Sequence, residues 1–155
     1  MDLRHIGRGI GAALIGAVAA CAPARAKPAY VPRTREVTVT TVPLLVKEQA
    51  KTLPFLHRDF GPGGVLEGRE VYAFVPNTIT IVAGDTLQLT FINPEDDPHS
   101  FVLDGLAVPL PPQQRVHATW IAPHPGIFPF VCSVPSHLPM MAGQVIVLAA
   151  TAITQ

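Results

Sequence analysis

The stretch CSVPSHLPMMAG, Cys132–Gly143, places a thiol, an imidazole and two thioethers within ten residues: Cys132, His137, Met140 and Met141. Thiolate and thioether are soft donors that favour copper(I), and imidazole accepts copper in either oxidation state. Such a cluster can hold a soft metal ion if one more ligand arrives from elsewhere. The candidates are His57, His99, His117 and His124. His99 stands out because it follows NPEDDP and opens the run HSFVL, which puts it at a strand edge beside a loop. His57, in FLHRDF, reads as a loop residue. His117 alternates with Val116 and Ala118 on a strand and is expected to face solvent, and His124 precedes the turn at Pro125-Gly126.

The thiol gains meaning from the way the chain begins. Arg4 and Arg8 flank an uncharged run, GIGAALIGAVAA, that is too short for the roughly 20 residues of a membrane-spanning helix. A basic start, a short apolar run and small residues are the layout of a secretory signal over residues 1–26. Two processing points compete. ARA at Ala24–Ala26 is a cleavage site before Lys27, whereas VAAC at Val18–Cys21 resembles a lipobox with Cys21 as the lipidated residue. Any membrane attachment would be through that lipid. Cleavage after Ala26 leaves eight basic and ten acidic residues, and Cys132 as the only cysteine. An exported protein meets oxidising conditions, where an unpaired thiol is a liability unless it has a task such as metal ligation. A free Cys is also often a small buried hydrophobe, and the count alone supports both readings.

These residues must be positioned by short strands. Proline is 17 of 155 residues, roughly twice the usual share of about 5%, which leaves little room for long helices. Apolar residues are 48% and charged ones 14%, enough for a core and unlike a disordered chain. The formal net charge of zero argues against nucleic acid as a partner. Residues 27–36 read as a linker, 37–150 as one domain and 151–155 as a tail. Strands are expected at Val37–Val46 (broken or bulged at Pro43), Val71–Val75, Thr78–Val82, Thr86–Ile92, Ser100–Leu103, Val116–Ile121, Ile127–Cys132 and Val145–Leu148. Lys47–Leu53 suits a short helix, while Phe60–Gly68 and Val108–Gln113 read as loops. Short strands separated by turns predict an all-β Greek-key sandwich or barrel of about seven to eight strands. Phe128, Phe130 and Cys132 share one strand face, so Cys132 points inward at a strand end. Pro129 in the same strand implies an edge or bulge.

Two segments carry a family resemblance. FVPNTITIVAGDTLQLTFINPEDDPHSF is similar to the first half of a cupredoxin, and ATWIAPHPGIFPFVCSVPSHLPMMAG resembles the second. The Cys-x4-His-x3-Met-x-Gly spacing is similar to azurin-type blue copper proteins. The resemblance covers about Val71–Leu148 and implies one copper ion held by His99, Cys132 and His137, with Met141 as a weak axial ligand and Met140 as the alternative. It implies electron transfer and no catalysis. A binuclear copper centre would need a second Cys where Ser136 stands, and the chain has no His-x-His pair of the multicopper type. Ser100 and Ser133, each next to a ligand, either bond between the two ligand segments or are ordinary turn hydroxyls.

The neighbouring surface can be read as well. Leu138, Pro139 and Met140, with Leu106, Val108, Leu110, Pro111 and Pro112, are expected to form an apolar patch at the His137 edge where a redox partner protein docks. Glu95, Asp96 and Asp97 either steer a basic partner or form a solvated turn. The competing functions are a copper-handling protein (a chaperone or resistance factor) and a partner-binding module on the same fold.

Overall fold

A computed structural model describes residues 29–137 and 141–150. The signal segment with Cys21, the tail, and Leu138, Pro139 and Met140 lie outside the described residues. Among these residues the chain forms nine strands: β1 (Thr34–Leu45), β2 (Val71–Val75), β3 (Thr78–Val82), β4 (Thr86–Asn93), β5 (His99–Leu103), β6 (Leu106–Leu110), β7 (Gln114–Ile121), β8 (Gly126–Val131) and β9 (Ala142–Leu148). A 3-10 turn, Lys47–Lys51, and a short helix α1, Leu56–Phe60, lie between β1 and β2. No helix among the described residues is long and apolar enough to cross a membrane.

The strands build two sheets, ordered β2-β1-β4-β7 and β3-β9-β8-β5-β6. β1 runs parallel to β4, and β3 parallel to β9, so the connections cross between sheets as a sandwich of Greek-key type requires. Alternation makes the core. Leu87, Leu89 and Phe91 of β4 face Phe101 and Leu103 of β5 and Phe128 and Phe130 of β8, all buried. At its centre Phe74 and Phe91 from one sheet meet Phe101 and Phe130 from the other, with ring centroids 4.7–5.6 Å apart. Fully burying each such ring is worth roughly 2–3 kcal/mol.

The expected fold class holds, with one more strand than expected. β6 occupies part of the segment expected to be a loop. Its Pro109 is tolerated because β6 is a sheet edge, paired only with β5. The signal for this hairpin is Asp104-Gly105, both at positive φ, a two-residue turn that Gly and Asp favour. The β1–β2 register shifts between Pro43 and Leu45, which is a bulge. Pro129 lies in an inner strand, but β8 pairs with β5 only from Phe130 onward, at Leu103↔Phe130 and Val102↔Val131. That side of Pro129 is therefore locally an edge.

Thr34–Glu36, placed by sequence in the linker, belong to β1, and the segment before them is fastened as well. The buried Asp85 carboxylate accepts the Tyr30 hydroxyl, the Arg33 N–H at 2.7 Å, Arg35 Nε at 3.0 Å and the Val82 N–H at 3.3 Å. Burial alone would raise its pKa, yet these donors together hold it down at about 2. The preceding Gly84, at φ +89°, supplies the left-handed turn that brings Asp85 inward. Asp85→Ala strands these donors and is expected to cost about 3 kcal/mol in denaturant unfolding. Arg35→Ala is expected to cost less than about 1 kcal/mol, because that side chain is 41% exposed.

Candidate metal centre

One end of the sandwich collects the starts of β2, β5 and β9 and the ends of β4, β6 and β8. His99 is the first residue of β5 and is 3% exposed. The loop before it is fixed by Asn93, the last residue of β4, which is also buried. The Asn93 amide nitrogen points at the carbonyls of Asp97 (2.9 Å), Leu110 (3.1 Å) and Pro111 (3.1 Å). Its carbonyl oxygen accepts from Thr41 Oγ1 (2.9 Å) and the Glu95 N–H (3.1 Å). Breaking this hub would free the loop that aims His99.

Cys132 follows β8 directly and is wholly buried, as its alternation with Phe128 and Phe130 predicts. Its N–H donates to the Met141 carbonyl at 2.9 Å, the Met141 N–H to the His137 carbonyl at 3.2 Å, and the His137 N–H to the Val134 carbonyl at 3.0 Å. The loop thus folds back on itself and brings Cys132, His137 and Met141 together. Met141 is fully buried and His137 is 4% exposed. Gly143 is required two residues on, because a Cβ there would run into the Asn77 carbonyl oxygen and the Phe130 ring.

The result is a dry cluster of three donors. His99 Nδ1 and His137 Nδ1 are 3.2 Å apart, and His137 Nδ1 is 3.7 Å from Cys132 Sγ. All three donor atoms lie within 4.8 Å of one another. Metal–nitrogen and metal–sulfur bonds of about 2.0–2.3 Å, opened to about 110°, put donors roughly 3.3–3.5 Å apart, so the cluster fits a single ion. Two Nδ1 atoms at hydrogen-bond distance also require that one hold a proton and the other a lone pair in the metal-free chain. His99 Nε2 is buried with no partner among the described residues. That orphan is consistent with a ring placed for its Nδ1 side. Soft sulfur with two imidazoles is a donor set for copper.

The serines act between the two ligand segments. Ser100 Oγ accepts the Ser133 N–H at 2.7 Å, stands 2.8 Å from Ser133 Oγ, and lies 3.8 Å from Cys132 Sγ as a donor. The remaining described histidines stay outside the cluster. His57 is exposed on α1, His117 is exposed on β7 with Nδ1 3.1 Å from Thr90 Oγ1, and His124 is exposed in the β7–β8 turn. The expected apolar patch needs correction. Val108 and Leu110 are buried because β6 is a strand that turns them into the core, and Leu106 and Pro111 are half-buried. Of Leu106, Val108, Leu110, Pro111 and Pro112, only Pro112 is exposed.

Tyr72 was not legible as a site residue, since nothing in its local sequence marks it. Its ring packs on both imidazoles, with centroids 4.6 Å from His99 and 4.7 Å from His137. Its hydroxyl donates to Asp97. Burial, then the Asp97 carboxylate, push its pKa well above the ordinary phenol value.

Comparison with known proteins agrees with this architecture. The cupredoxin-like domain family model matches residues 69–147. The chain therefore belongs to that family. No curated protein sequence matches. Among solved structures, a copper nitrite reductase from Nitrosomonas europaea is similar at 22% identity and TM-score 0.54, covering 79% of this chain and 45% of that one. A multi-copper oxidase from Pseudomonas thermotolerans is similar at 14% identity and TM-score 0.54, covering 77% of this chain and 31% of that one. Auracyanin A, a blue copper protein from Chloroflexus aurantiacus, aligns at 16% identity and TM-score 0.49, covering 74% of this chain and 99% of that one. The chain thus spans less than half of the nitrite reductase and about a third of the oxidase. One copper ion is the cofactor that this family and the donor set fit.

Burial lowers the pKa of His99 to about 4, aided by the neighbouring His137 charge. Burial also lowers His137, against the pull of Asp97 and Glu70. The unfolded chain takes up these protons near pH 6.5, and the native chain takes up that of His99 only near pH 4. Between those values the unfolded state binds more protons, so stability falls as pH falls. Metal-free protein is expected to lose of order 2–3 kcal/mol from His99 between about pH 6.5 and 4. Thermal melts across that range test this, and in His99→Gln the part of the slope due to His99 should vanish.

Proposed function

We propose that this protein is an exported mononuclear blue-copper electron carrier, with His99, Cys132 and His137 as the copper ligands and Met141 as the weak axial one. The observation that carries this reading is the buried cluster of two imidazole nitrogens and one sulfur within 4.8 Å of one another. When bound, copper supplies exchange of one electron between its two oxidation states. The chain's own part is to hold two imidazoles and a thiolate in one arrangement for both states, and to keep water out. With Met141 as the fourth ligand the site would have no open position for a substrate, which favours electron transfer over catalysis. Burial of all four also argues against the copper-handling alternative, which needs an accessible site for exchange. The nitrite reductase and the oxidase share the fold only, so their reactions are not carried over. The basic N-terminal flank and the short apolar run support export, with cleavage after Ala26 and lipidation at Cys21 as the two competing processing routes. A redox partner protein would dock at the sandwich end that carries His137.

The decisive measurement is the visible and electron paramagnetic resonance spectrum with one equivalent of Cu(II). The expected result is an intense sulfur-to-copper charge-transfer band with narrow hyperfine splitting. Cys132→Ser should abolish it, and Met141→Leu should keep the colour but shift the reduction potential. A pale product unaffected by Cys132→Ser would sink the assignment. Ser100→Ala should lower the potential, because a donor that offsets thiolate charge favours the reduced state. Cyclic voltammetry reads that shift, and an unchanged potential would leave Ser100 and Ser133 as ordinary turn hydroxyls.

A further inference from the structure

We propose that Tyr72 is a positioning residue that fixes both imidazoles from across the sandwich and thereby sets the reduction potential; the second half of this statement rests on the blue-copper reading. Tyr72 belongs to β2, in the four-stranded sheet, whereas His99 opens β5 and Cys132 follows β8 in the five-stranded one. Its side chain is 2% exposed. Its ring meets the His99 ring at 69° and the His137 ring at 53°, each within 4.7 Å between centroids. One aromatic ring therefore backs two imidazoles, and neither can swing without displacing it.

The oxygen end completes the arrangement. The hydroxyl donates to Asp97 and stands 3.4 Å from a Glu70 carboxylate oxygen. Asp97 is two residues before His99, and its carbonyl is held by Asn93 at 2.9 Å. The Glu70 N–H donates to the carbonyl of Ser136, the residue before His137, at 3.4 Å. The Glu70 carboxylate also accepts the Lys47 N–H at 3.0 Å, which ties in the segment after β1. The phenol hydroxyl thus ties down the segment that aims His99, with Glu70 and the segment that aims His137 close beside it, while its ring presses on the imidazoles themselves.

Copper(II) prefers a more tetragonal arrangement than copper(I). Imidazoles free to swing would let the oxidised state relax, which lowers the potential and slows electron exchange. Tyr72→Phe keeps the ring and removes the ties at oxygen; Tyr72→Leu removes both. In full-length copper-loaded protein, Tyr72→Phe should stay blue, with a lower potential and self-exchange slowed roughly tenfold. Tyr72→Leu should go further in the same direction. In metal-free protein, the nitrogen and proton resonances of the two imidazoles should broaden in Tyr72→Phe while circular dichroism stays that of the wild type. An unchanged potential together with unchanged imidazole resonances would overturn the proposal and leave Tyr72 as packing. Should Tyr72→Phe fail to fold, Asp97→Ala tests the same tie and must show the same changes. A wild type without the charge-transfer band would overturn the copper reading instead, and the metal-free resonances would still decide whether Tyr72 positions the rings.

Discussion

Two imidazole nitrogens at 3.2 Å, with a thiol sulfur 3.7 Å from one of them, form a crowded polar group that water does not relieve. Side chains left to themselves would separate and hydrate. They stay together because His99, Cys132 and His137 are each fixed through the backbone within a residue or two of a sheet or a tight turn. Asn93 fixes the first, the β8–β9 ladder continued by the Cys132–Met141 bond fixes the second, and the turn onto Val134 fixes the third. The local geometry is therefore a property of the sandwich, and the metal enters a site already shaped.

The same dependence explains the architecture away from the site. Two rings of the aromatic centre lie directly behind the cluster on the same chain segments: Phe101 is two residues after His99, and Phe130 two before Cys132. Because alternate residues share a face, ligand and core ring point the same way. Any slip of register that moved a ligand would also expose a phenylalanine, so hydrophobic burial enforces the register that coordination needs. Gly143 contributes from β9 by letting the Phe130 ring come close where a side chain would not fit.

The loop that brings Cys132 and His137 to the cluster was legible in the sequence because its chemistry is local: both stand on one short segment, and alternation with Phe128 and Phe130 gives the direction of Cys132. Most strands were legible for the same reason, since β-branched alternation and Pro or Gly turns act over a few residues. β6 was missed because its three prolines nearby, Pro109, Pro111 and Pro112, outweigh the Asp104-Gly105 turn in a local reading. Only knowledge that β6 ends the sheet makes Pro109 acceptable. Tyr72 and Asp85 were out of reach for a different reason. Tyr72 meets His137 across 65 positions, and Asp85 meets Tyr30 across 55, so neither has a local period to betray it.

Asp85 and the metal site stand at opposite ends of β4, and the pairing has a physical logic. The site end carries costs: two imidazoles held neutral by burial, and a His99 Nε2 with no partner among the described residues, a group of a kind that costs about 1–3 kcal/mol. The far end supplies stability through a carboxylate that ties the segment preceding β1, and β1 itself, to the β3–β4 turn with several donors. A metal ion held by the native chain and not by the unfolded one would add to that stability by mass action.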